Sequence, residues 1–156
     1  MHALEGMRRA ACIEATVLAL AALLVALPSA AESPLHVPAD YLMIQAALAA
    51  AQPGDVVLVA PRLYSEQLVV RTTVTLASEF ITTGDRTLIE STVIESDDAI
   101  EVQSTAGPET TIAGLTIRGS AGDSIHGFAT TRIHDHHIVG FTDGIDFAPA
   151  EPTERR

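Results

Sequence analysis

The sequence predicts an all-β fold, a single-stranded parallel β-helix headed by an N-terminal capping α-helix. Three observations carry this. Short β-branched segments recur at steps of 20 to 25 residues along the second half of the chain. One apolar-faced helical stretch precedes them, and no second helix is available to cross over between strands. Units this short cannot bury their own apolar face, so they must stack.

Residues 1–31 read as a secretory signal peptide. Arg8 and Arg9 precede the apolar run Val17–Leu27, and Pro28-Ser29-Ala30-Ala31 supplies a break and small residues before a cut. The run is shorter than the ~20 residues that a bilayer core demands, so no stable membrane insertion is expected after cleavage. The lone cysteine, Cys12, is removed with it, which leaves a chain without disulfides. The expected location is periplasmic or extracellular.

Residues 32–40 form a lead-in. Asp40 is a reasonable N-cap for a helix over about 41–52, where Ile44, Ala47, Leu48 and Ala51 share one face. Pro53-Gly54-Asp55 stops it. Strand segments follow at 56–59, 68–70, 74–76, 92–94 and 100–102, then around Ile112, 115–117, Ile125, Ile133, Ile138 and Ile145. The repeat is plain late in the chain: Ile112 and Ile133 are 21 residues apart, as are Ile117 and Ile138. Asp123-Ser124-Ile125 and Asp143-Gly144-Ile145 are 20 apart.

Two isoleucines five residues apart cannot both face inward on one straight strand. A corner between them permits it, giving two very short strands per repeat. The corner calls for left-handed backbone, which Gly114 and Asp135 accept. Residues 32–147 form the β-helix domain in this reading, about four coils long by the repeat step. Residues 148–156 are a polar, proline-containing tail expected to be disordered. A small β-sandwich is the alternative, disfavoured by the lack of hairpin turns.

Composition narrows function. The chain has no Lys and no Trp, only 4% aromatics, and a net charge of −11. Nucleic-acid binding is excluded as an expectation, since no basic patch exists to neutralise phosphates.

Val37-Pro-Ala-Asp40, Ile44-Gln-Ala-Ala47, Ala51-Gln-Pro-Gly-Asp55, Val57-Leu-Val-Ala-Pro61 and Tyr64-Ser-Glu66, with the later repeats, resemble the right-handed parallel β-helix family of pectate-lyase-like and NosD-like repeat proteins. The resemblance covers roughly residues 36 to 147 and implies a right-handed coil whose start is capped by the helix. The chain departs from the family at Arg62-Leu63, where glycine is usual, at Ser124 in the earlier Asp-Gly-Ile copy, and in its small number of coils. No closing cap is evident, so the last coil is a candidate surface for self-association.

Two residue sets could carry chemistry. His134, Asp135, His136 and His137 form a dense cluster of metal-ligand types, with His126 upstream. The spacing matches no zinc motif, and a solvated corner is the preferred reading. The second set is carboxylates: Glu95, Asp97, Asp98, Glu101, Asp123, Asp143 and Asp146. Stacked along one face, they could hold Ca²⁺ or act as acid and base on sugars, with Asp123, Asp143 and Asp146 the catalytic candidates. Turn formation explains them as well and is preferred. Arg118 and Arg132 are the only arginines near enough to oppose them. A Ser124/His126/Asp123 triad is discounted, because sequence neighbours rarely form one.

The leading expectation is therefore a non-catalytic exported protein presenting a polysaccharide- or surface-binding face. The alternatives are a lyase or hydrolase acting on acidic polysaccharide, and, from the resemblance alone, a NosD-like metal-maturation accessory.

Overall fold

The fold follows from a computed structural model that describes residues 33–127 and 131–147. The expected signal peptide and the expected disordered tail lie outside the described residues. Strand β1 (Leu35–Val37) leads to helix α1 (Ile44–Ala50). Strands β2 (Val56–Val59), β3 (Arg62–Tyr64) and β4 (Leu68–Val70) make the first coil. Strand β5 (Thr75–Ser78) opens the second. Helices α2 (Phe80–Thr83) and α3 (Thr87–Ser91) interrupt it, and β6 (Thr92–Glu95) and β7 (Ile100–Val102) complete it. The third coil is β8 (Thr111–Ala113), β9 (Thr116–Arg118) and β10 (Asp123–Gly127). The fourth is β11 (Arg132–His134), β12 (His137–Val139) and β13 (Asp143–Phe147).

From β2 to β10 each strand pairs with the third strand after it, and β1 pairs with β2, always in parallel. One sheet runs β1-β2-β5-β8-β11, a second β3-β6-β9-β12, and a third β4-β7-β10-β13. This is a parallel β solenoid with three strands per coil. The five-residue isoleucine spacing locates one corner correctly: Gly114 has φ +67° and Asp135 has φ +57°. The expected two strands per repeat become three, because the Asp-Ser/Gly-Ile segments, expected as strands around Ile125 and Ile145, belong to the same coil after a second corner. No sandwich hairpin occurs among the described residues.

The core is a stack of inward ladders. Leu35, Val57, Leu76, Ile112 and Ile133 align in the first sheet. Tyr64, Ile94, Ile117 and Ile138 align in the second. Leu68, Ile100, Ile125 and Ile145 align in the third. Side chains of the first three coils in these ladders are buried, each contributing about 1.5–3 kcal/mol. In the last coil the ladders surface: Ile133 and Ile138 are half-buried and Ile145 is exposed.

Four departures from the sequence reading have identifiable causes. The helix is shorter than 41–52 and starts after Met43, which makes no side-chain cap. Asp40 is not that cap; its carboxylate accepts the His36 N–H at 2.9 Å and closes a turn after β1. Glu66 takes the capping role from a distant strand connection, accepting the Ile44 and Gln45 N–H groups, each at 3.1 Å. Strands β1 and β3 were not expected, since three residues carry no periodicity. Nor were α2 and α3, whose one-turn lengths leave no helical pattern to read.

Candidate functional site

The corners between the second and third sheets carry an open cleft. Strand β6 ends in Glu95, and Ser96-Asp97 turn toward β7. One coil on, β9 ends in Arg118, and Gly119-Ser120 make the equivalent turn. Register places Glu95 directly opposite Arg118, so consecutive turns lie side by side. Together these six residues line a cleft of about 470 Å³.

The turns are held by backbone and side-chain bonds. Ser96 N–H donates to the Arg118 carbonyl at 3.0 Å, and Gly119 N–H to the Val139 carbonyl at 3.1 Å. Asp97 accepts the Ser120 N–H at 2.9 Å and its hydroxyl at 2.7 Å. These bonds hold the Asp97 carboxyl below its usual range, the backbone bond first. Arg118 lies 3.7 Å from Glu95, with both side chains about half exposed. A Cβ on Gly119 would run into the Phe141 ring, so glycine is what lets that ring lie against the cleft floor. The cleft thus offers a guanidinium, two carboxylates, hydroxyls and an adjacent aromatic edge, all reachable by solvent.

Of these residues, the sequence alone singles out Glu95, Asp97 and Arg118 but does not join them. Ser96, Gly119 and Ser120 escaped it. The signal was present as the parallel pair Glu95-Ser96-Asp97 and Arg118-Gly119-Ser120, each following a strand, but seeing it requires the register.

The other candidates are dispersed. Asp123 and Asp143 stand opposite each other on β10 and β13. Asp146 lies further along, opposite His126, with Glu101 on His126's other side. The three aspartates therefore do not converge on one point. Asp98 serves a turn, accepting the Asp123 N–H at 3.3 Å. Ser124 hydrogen-bonds the Gly144 carbonyl rather than His126, and His126 Nδ1 is buried without a partner. Arg132 pairs with Glu109 at 3.5 Å, at a different corner from Arg118.

The histidine cluster separates in the same way. The left-handed turn at Asp135 directs His136 inward, at the position Leu115 holds one coil earlier. Its Nε2 lies 2.9 Å from the Ile112 carbonyl and its Nδ1 3.2 Å from that of Leu115. Burial outweighs these two bonds and lowers its pKa below 6.5. His134 stays exposed, 2.9 Å from Asp135. His137 points to solvent. Asp135 also meets Arg86 of the α2–α3 excursion at 3.4 Å, and a cavity of only about 140 Å³ separates that excursion from the corner. Among the described residues no three His, Cys, Asp or Glu side chains converge as metal ligands. None of their helices is long and apolar enough to cross a membrane.

Compared with known proteins, the chain matches no family model, no curated protein and no solved structure.

Proposed function

We propose that this is an exported, non-catalytic, right-handed parallel β-helix protein, closed at its start by α1, that binds polysaccharide or a glycan-bearing surface. The observation that carries this reading is the open cleft of Glu95, Ser96, Asp97, Arg118, Gly119 and Ser120. Sugars are bound through hydroxyl-to-carboxylate and hydroxyl-to-guanidinium contacts, and these groups are present there. The sequence of residues 1–31 supports export. The burial of Ile44, Ala47 and Leu48 over the first coil supports a capping role for α1.

A glycan panel tests the binding directly. At least one polysaccharide binds, and Arg118→Ala weakens it by about tenfold or more, as loss of a charged hydrogen-bonding partner does. Binding unaffected by Arg118→Ala, or absent across neutral and acidic glycans, contradicts the reading. Mass spectrometry of the secreted product tests export, with a chain starting at Glu32 expected and an unprocessed chain contradicting it.

A second reading, polysaccharide lyase or hydrolase, rests on one observation, the direct opposition of Asp123 and Asp143. Release of unsaturated or reducing ends that disappears in Asp143→Ala is its test.

A further inference from the structure

The two ends of the solenoid are built differently. At the start, the backbone edges of β1 and β4 are blocked. In β1 the residue pointing away from β2 is His36; its N–H goes to Asp40, and its carbonyl accepts the Asp40 and Tyr41 N–H groups. In β4 the Gln45 amide does the same for Val69, accepting its N–H at 2.7 Å and donating to its carbonyl at 3.4 Å. Such blocking prevents another strand from adding. At the far end no strand follows β11, β12 or β13 among the described residues. There Arg132 and His134 bond back to the third coil, as do His137 and Val139. By the alternation of a parallel ladder, Ile133 and Ile138 present their N–H and C=O groups to the open edge. Exposed Val139 and Ile145 and half-buried Phe141 and Phe147 surround them.

We infer that this end is a homodimer interface, closed by the last coil of a second copy related by a two-fold axis. A head-to-tail stack would meet the blocked edges of β1 and β4, whereas a two-fold presents open edge to open edge. The two-fold reverses the direction of the coil, so strands meet antiparallel. One sheet pairs with itself and the other two exchange, which leaves three arrangements.

Charge selects among them. With β11 on itself, Arg132 faces His134. With β13 on itself, Gly144 faces Asp146 and β11 meets β12, so His134 faces His137. With β12 on itself, Ile138 sits on the axis and β11 lies along β13 of the second copy, Ile133 against Ile145. The outward neighbours then fall so that Arg132 is directly opposite the second copy's Asp146. This arrangement alone pairs permanent opposite charges, and symmetry supplies the pair twice. It also continues the apolar ladders from one copy into the other.

Sedimentation equilibrium of the full chain tests this with charge reversal. The wild type is a dimer. Arg132→Glu or Asp146→Arg alone puts like charges opposite each other and weakens dimerisation by about tenfold or more. The double variant R132E/D146R restores it, which a folding defect would not do. A monomeric wild type, association unaffected by either single reversal, or a double variant no better than the singles overturns the inference.

Discussion

His136 is a leucine position occupied by an imidazole. A neutral ring can donate from only one nitrogen, yet both nitrogens face carbonyl oxygens. Burial nevertheless keeps the ring neutral below its ordinary pKa. The unfolded chain therefore takes up the proton first as pH falls, so the contribution of His136 to stability is complete above about pH 6.5 and is lost progressively below it. Thermal melts across pH 5–8 should show this decline, and His136→Leu should flatten it and raise the melting temperature. A decline unchanged in that variant assigns it to other groups. Gly114 gives a second residue-scale expectation. Its φ of +67° and the Ser78 and Phe80 atoms within 3.0 Å of a built Cβ leave no room for a side chain. Gly114→Ala should cost about 1–3 kcal/mol by chemical denaturation. What was legible at this scale was the need for left-handed backbone at Gly114 and Asp135. What was not was the inward turn of His136, because polar residue types in a row read as a solvated corner.

At the scale of elements, α1 is attached by side chains from elsewhere in the chain. The Tyr64-Ser-Glu66 segment, noticeable in sequence for its resemblance to β-helix openings, acquires a physical role. Tyr64 is buried and its hydroxyl donates to the Ala60 carbonyl at 3.0 Å, while Glu66 caps the helix. Gln45→Ala should cost about 1–2 kcal/mol by denaturant melts, since it unpairs the β4 edge. An unchanged midpoint would mean that water replaces the amide without loss. The ladders predict a gradient. Measured in the dissociated Arg132→Glu background, Ile117→Ala, fully buried, should cost about 2–5 kcal/mol, and Ile138→Ala, half-buried in the last coil of a single copy, clearly less. Equal costs there would mean that the last coil is covered within one copy. Strands with long apolar runs, such as β2, were readable from sequence. The three-residue strands β1 and β3 and the one-turn helices were not, because tertiary pairing rather than local pattern creates them.

For the molecule as a whole, repetition is the organising fact. The late repeats are uniform: Thr111 pairs with Arg132, 21 residues on, and Thr116 with His137, again 21. Earlier ones are stretched. Thr75 pairs with Thr111, 36 residues on, because the α2–α3 excursion and the 103–110 connection are inserted between them. That is why the repeat is visible only in the second half of the sequence, and why the cleft, which straddles the second and third coils, was seen as separate residues. The cleft exists only if Glu95 and Arg118 stack in register on adjacent coils, so strand register underlies both the fold and the site.

That register can be measured by disulfide trapping in a Cys12→Ala background. Glu101 and His126 are opposite on adjacent strands, at the roughly 4.8 Å spacing of a sheet, within reach of a disulfide. Glu101 and Asp146 are two coils apart, beyond it. E101C/H126C should oxidise to an intramolecular disulfide and E101C/D146C should not. Failure of the first pair to close, or ready closure of the second, would contradict this register.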